Sequence, residues 1–231
     1  MDDPNTLIQQ LKDRNWEVRS RAVATIGGID DPDTVLDLIR RAGCENWSLR
    51  DAVGHGLGQL KDRLAIEALN QAIRQYPRFI SEAVRALCAC NAEPDARALI
   101  EHLGHADPRI RIAAADALGW IRAGEAAGPL AARMQDDDAE VRRHAAHALG
   151  MIGDRRSATP LVGGLADADP RVRRSAAYAL GRVGGPLARE ALETALQDRD
   201  RHVVRNARAA LAAVHAACTT PGSCSGDIKE G

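Results

Sequence analysis

Five arginines stand in register along the chain: Arg19, Arg50, Arg111, Arg142 and Arg173. A column of guanidinium groups could serve as a receptor for phosphate or carboxylate, because each presents a planar fork of donors to two oxygens at once. In three places, however, an acid precedes the arginine by four residues: Asp107 before Arg111, Asp138 before Arg142 and Asp169 before Arg173. Acid before base at that spacing is the favourable pair along a helix, and a constant period would also bring each arginine near the next unit's carboxylate. The expectation is a structural Arg–Asp ladder, broken where Ile80 and Val204 fill the arginine's slot. The other reactive side chains form no pattern. The cysteines are five, an odd number, and Cys88 and Cys90 lie too close for an ordinary zinc half-site with no further ligands in reach. No metal site and no catalytic residue are expected.

What must position the arginines is a repeated pair of helices. An apolar anchor precedes each slot: Val18, Leu49, Phe79, Ile110, Val141, Val172 and Val203, at steps of 31, 30, 31, 31, 31 and 31 residues. Alanine, or Val53 in one unit, follows four residues on, and Ile26, Leu57, Leu87, Leu118, Leu149, Leu180 or Leu211 eight residues on. Those spacings share one helical stripe, that of a helix A. A second stripe, Leu38, Leu69, Leu99, Leu130, Leu161 and Leu192, predicts a helix B in each unit. A period of this length marks a stacked array in which no unit buries its apolar face alone. The fold class is therefore all-α, a right-handed α-α superhelical solenoid of about fourteen helices over residues 1–217. It divides into a half-repeat at 3–14, repeats at about 15–45, 46–75, 76–106, 107–137, 138–168 and 169–199, and a terminal helix at 200–215.

Helix ends are marked too. Asp107-Pro108 and Asp169-Pro170 place a capping carboxylate before a proline at the first helical position, and Asn15 and Asn46 hold the same slot. Gly27, Gly58, Gly119, Gly150 and Gly181 are expected to stop helix A in a left-handed conformation. The third unit has Cys88 in that place and Tyr76-Pro77 at the cap, and should be irregular. Residues 218–231, polar and rich in Gly and Ser, are expected to form a disordered tail.

A net charge of −1 argues against general nucleic-acid binding, which calls for a basic excess. No apolar run is long enough to insert in a membrane and no signal peptide is evident, so a cytoplasmic location with free thiols is expected.

The segment Asp169-Pro170-Arg171-Val172-Arg173-Arg174-Ser175-Ala176-Ala177-Tyr178-Ala179-Leu180-Gly181 resembles the short HEAT-like repeats of the class named after phycobilin lyases, and the likeness covers residues 4 to about 214. The resemblance implies a HEAT-like solenoid and, as its function, a non-catalytic scaffold or adaptor for another protein or peptide, with no cofactor. The alternative it carries is a phycobilin lyase subunit or bilin-binding, phycobilisome-associated factor. That would take a bilin, form a heterodimer with a second HEAT-like subunit, and offer Arg97, His102, His105 and Tyr178 as polar groups. The same class includes deoxyhypusine hydroxylase, whose iron site would need His-Glu dipeptides. This chain has none, and Glu101-His102 reverses the order.

Solenoids of this kind turn their B helices to a concave face, where a partner is expected. Positions two residues either side of each stripe leucine point away from the core. They are Arg97 and Glu101 in one unit, Gly128, Ala132, Thr159 and Gly163 in the next two, and Glu190 and Thr194 in the sixth. Gly163-Gly164 inside a helix costs on the order of 1 kcal/mol per glycine relative to alanine, so a packing or binding reason is expected. Trp16 and Trp47, each one residue after a cap, make a second candidate patch, either an interaction edge or a staple at the repeat junctions.

Overall fold

Short polar caps start most helices among the described residues. The Asn15 side chain accepts from the Glu17 N–H, Asn46 from Leu49, Asp138 from Glu140 and Val141, and Asp169 from Arg171. Asp31, Asp62 and Asp95 cap B helices in the same way. The computed structural model describes the backbone of residues 3–219 and the side chains of residues 3–214. Among the described residues fourteen α-helices follow one another: α1 Pro4–Leu11, α2 Trp16–Ile26, α3 Pro32–Ala42, α4 Trp47–Leu57, α5 Arg63–Gln75, α6 Ile80–Ala89, α7 Ala96–His102, α8 Pro108–Trp120, α9 Ala127–Arg133, α10 Ala139–Ile152, α11 Ala158–Gly164, α12 Pro170–Val183, α13 Pro186–Ala195 and α14 Arg201–Thr219. Even-numbered helices are A, odd-numbered helices B. Helix α14 runs two residues into the stretch read as a tail; the rest of that tail lies outside the described residues.

The chain divides between Ala117 and Leu118, inside α8, into two compact units. In a repeat array each helix meets only its neighbours, so no one core gathers the whole chain. In the first unit α2, α4 and α6 pack side by side, with α1, α3, α5 and α7 as the second layer. In the second unit α10, α12 and α14 form one layer, backed by α9, α11 and α13. The stripe leucines Leu38, Leu69, Leu99, Leu130, Leu161 and Leu192 are fully buried between the layers, as are Phe79, Val141, Val172 and Val203. Val18 is only half-buried, since just the short α1 precedes its helix.

The A-helix glycines do something other than what was expected of them. Gly27 and Gly58 keep ordinary right-handed backbone (φ −65° and −69°), and Gly119, Gly150 and Gly181 lie inside their helices. What they provide is room. A Cβ on Gly150 would stand 2.8 Å from the Ala179 Cα, one on Gly119 2.8 Å from the Ala148 Cα, and one on Gly181 2.6 Å from the Ala210 Cβ. The left-handed slot comes three residues later, at Asn91, Arg122, Gly153 and Gly184, with φ of 54°, 52°, 76° and 68°. The third unit is irregular: Tyr76 ends α5 at φ −126°, ψ 70°, and a 3-10 turn over Pro77–Phe79 replaces the start of its A helix.

Candidate functional site

The arginine column is a ladder, built with other acids. Arg142 donates from Nε and Nη2 to the two carboxylate oxygens of Asp167, at 2.7 and 3.1 Å. Its Nη1 donates to the carbonyls of Asp136 and Asp137 at 2.7 and 3.1 Å. Arg173 repeats the set one unit on, with Asp198 at 2.8 and 3.0 Å and the carbonyls of Asp167 and Ala168 at 2.9 and 3.2 Å. Each guanidinium ties the loop before its own helix to the loop that follows helix B. Arg111, Arg50 and Arg19 donate to carbonyls in the same way, to His105 and Ala106, to Glu45, and to Asp13 and Arg14, and Arg50 also reaches the Glu82 carboxylate at 3.4 Å. The expected pairs Arg142–Asp138 and Arg173–Asp169 do not form, because Asp138 and Asp169 turn their oxygens onto the N–H groups of their own first turns. Asp107 accepts from the Arg109 N–H in the same manner.

The electrostatics follow these contacts. The hydrogen bonds donated to Asp167 and Asp198 raise the Arg142 and Arg173 guanidinium groups above their usual range. Burial opposes the Asp167 charge, but Arg142 and the Asp169 N–H together hold that carboxyl below the usual carboxylate range. Arg173 lowers Asp198, and the Arg171 side chain and N–H lower Asp169 to about 2. Four of the five N–H donors of Arg142 and of Arg173 are thus in use, which leaves no open fork for a phosphate.

On the B helices, the predicted outward positions are all exposed: Arg97 and Glu101 in the first unit, and Gly128, Ala132, Thr159, Gly163, Glu190 and Thr194 in the second. The two adjacent glycines have different reasons to exist. A Cβ on Gly164 would meet the Met134 Cε at 2.6 Å and the Ala176 Cβ at 3.0 Å, so close packing demands it. At Gly163, and at Gly128, a Cβ would meet nothing within 4 Å. Beside Gly163 lies a cleft of about 450 Å³, with Gln135, Asp137 and Ala166 on its walls and Arg142 and Asp167 also lining it.

Trp16 and Trp47 are 66% and 70% exposed, so neither ring is a buried staple. Trp16 borders a groove of about 640 Å³ in the first unit, lined also by Lys12, Arg19, Asp51 and His55. Among the described residues no three His, Cys, Asp or Glu side chains gather as metal ligands would, and no helix is long and apolar enough to cross a membrane.

Comparison with known proteins places this geometry. The model of HEAT repeats matches residues 4–88, 76–140 and 128–212. The chain belongs to the HEAT repeat family. The HEAT repeat-containing taxis protein of Halobacterium salinarum is 30% identical over 140 residues, which are 58% of this chain and 31% of that one. The HEAT array thus spans about a third of its relative's length. An engineered protein superposes with a TM-score of 0.53 at 20% identity, covering 92% of this chain and 68% of that one. A designed armadillo repeat protein in complex with the peptide (KR)4 superposes at 0.50 and 20% identity, covering 93% and 100%. These likenesses establish an all-α repeat solenoid, an architecture that supports protein binding in general.

Sequence reasoning missed the acids that complete the ladder, Asp167 and Asp198, although with Asp136 they recur at 31 residues like everything else in this HEAT array. They stand two residues before the caps, where a helical i,i+4 rule does not reach. Their carboxylates also accept from the capping residues' own N–H groups: Asp138, Asp169 and Asp200 donate to them at 3.1, 2.8 and 2.8 Å. Trp120, half-exposed at the end of α8, was overlooked as well, since its slot holds Met151 and Arg182 in the following repeats.

Proposed function

We propose that this HEAT array is a non-catalytic, cytoplasmic adaptor that holds a segment of another protein on the B-helix face of its second unit. The observation that carries the reading is the open space at Gly128 and Gly163. Glycine within a helix is unfavourable, and no neighbouring atom in the fold requires it at either position. Closeness to something outside the fold supplies the missing reason: a bare backbone lets a partner's main chain approach. Ala132 and Thr159 extend the small-residue track, and Glu190 and Thr194 border it on α13. The reading requires no cofactor and no metal. Cys44, Cys88 and Cys90 are unbridged, which suits a reducing compartment. The archaeal relative supports the repeat architecture; its taxis role belongs to a much longer protein.

Peptides selected from a random display library against the intact chain test the proposal. Thr159→Arg and Ala132→Glu place bulk and charge on the track without touching the core stripe, and both are good helix formers. Selected peptides should lose affinity for these two variants at unchanged helicity, and keep it for Trp16→Ala and Trp47→Ala. Full binding to the track variants with loss in the tryptophan variants would overturn the reading and move the interface to the Trp16/Trp47 edge.

A further inference from the structure

We infer that the outer face of α12 and α14 is a docking surface for an acidic segment of a partner protein. This surface is carried by A helices and stands apart from the B-helix reading. Helix α12 contains Arg171, Arg173, Arg174 and Arg182, helix α14 contains Arg201, Arg205 and Arg208, and neither contains an Asp or Glu. The imbalance is local, since the chain as a whole has 31 basic and 32 acidic residues.

Elsewhere in the second unit most cations are matched, and those without an ion pair among the described residues, Arg122, Arg155 and Arg199, stand singly outside α12 and α14. Arg133 pairs with Asp136, Arg142 with Asp167, Arg143 with Glu140, Arg156 with Asp154 and Arg189 with Glu193. On α12, Arg171 and Arg173 are matched too, by Asp169 and Asp198. Arg174, Arg182, Arg201, Arg205 and Arg208 have no ion pair among the described residues; all but Arg174 are exposed. The two helices pack together, and the Asn206 side chain of α14 donates to the Arg174 carbonyl of α12 at 3.3 Å. Arg174 and Arg205 occupy one register position, two residues after the buried anchors Val172 and Val203. One turn beyond Arg174, Tyr178 is 43% exposed, its ring stacked on His147 at 6.0 Å. A held aromatic ring beside unpaired arginines combines two of the residue types that carry interface energy.

Uncompensated like charge on neighbouring helices disfavours the fold by self-repulsion, and an incoming carboxylate converts that repulsion into charge-assisted hydrogen bonds. The size of the patch selects the partner. Two packed helices are roughly 10 Å apart, and on the α10 side the strip ends at Glu140, which binds both Arg143 and Arg171. A short run of Asp or Glu side chains fits that strip. A nucleic-acid backbone would carry its phosphates onward past the carboxylate.

Fluorescence anisotropy with the full-length chain decides the matter. The probes are a labelled twelve-residue peptide of alternating glutamate and serine, its lysine counterpart, and a twelve-nucleotide single-stranded DNA. The glutamate peptide should bind, the lysine peptide should not, and added salt should weaken the binding. Arg174→Glu with Arg205→Glu should lower the affinity at least ten-fold, while Arg63→Glu with Arg78→Glu in the first unit leaves it within two-fold. Should the glutamate pair fail to fold, Arg174→Gln with Arg205→Gln reads the same loss, and its melting temperature should not fall. Absence of peptide binding, equal loss in the first-unit control, or tighter binding of the DNA that is abolished by the same pair would overturn the proposal.

Discussion

Arg142 grips both oxygens of Asp167 across 25 residues of sequence, at 2.7 and 3.1 Å, while Asp167 also accepts the Asp169 N–H and offers its carbonyl to Arg173. One aspartate thus serves two successive arginines, by its side chain and by its main chain. Arg142→Ala removes a mostly buried charge partner and two carbonyl contacts together, and should destabilise the chain by about 1.5–3 kcal/mol. Asp167→Asn keeps an oxygen for the Asp169 N–H and should cost less. Urea denaturation of the two single variants and the double variant measures the coupling; strict additivity would show that the bridge contributes nothing.

The same carboxylates set the response to acid. Asp169 is held at about 2 against an ordinary 3.8, chiefly by the Arg171 hydrogen bond, and Asp198 and Asp167 are also lowered. A folded carboxyl with a lowered pKa favours the folded state wherever it is ionised. That stabilisation is complete above about pH 4 and fades as the pH falls from about 4 toward about 2. Circular dichroism at fixed urea should show stability dropping in this window, and Asp167→Asn with Asp198→Asn should flatten the drop. An unchanged acid limb in that variant would assign the loss to other groups.

Two glycine-to-alanine substitutions should act with opposite signs. Gly150→Ala drives a Cβ into the main chain of α12 and should cost about 1–3 kcal/mol by overpacking. Gly163→Ala meets open space in a helix and should raise stability by up to about 1 kcal/mol. Thermal melts suffice, and destabilisation by Gly163→Ala would mean that the α11 backbone needs glycine for a reason of its own.

Arg122 occupies the left-handed slot at φ 52°, where two of the equivalent positions have glycine. Side chains with a Cβ bear about 1–2 kcal/mol of strain there, so Arg122→Gly should raise the melting temperature. A fall would show that the Arg122 side chain makes a contact worth more than the strain.

The period made the helices legible, because a stripe of apolar residues at four and eight states both the secondary structure and its buried side. It did not separate two functions that recur with the same period. The Asp at 138 and 169 caps its own helix rather than bridging to Arg142 or Arg173, and the Gly at 119, 150 and 181 is clearance rather than stop. Both depend on what lies 25 to 31 residues away in the next layer, and local rules do not reach that far. The outward B-helix residues came out exposed because the wheel that buries Leu161 and Leu192 fixes its opposite side. The cationic face of α12 and α14 was hidden by a near-zero net charge, which averages its seven arginines against the acids of the rest of the second unit and against a first unit holding 18 acids and 15 bases.

The fit of Gly119 to Ala148, Gly150 to Ala179 and Gly181 to Ala210 bears on how such a chain can lengthen. Each repeat presents an alanine ridge to the layer before it and, two residues further along, a glycine notch to the layer after it. A segment of 31 residues copied in frame carries one ridge and one notch wherever the cut is made, so a tandem duplication mates with its parent on both sides. An insertion that changed this offset within the A helices would part the notch from the ridge.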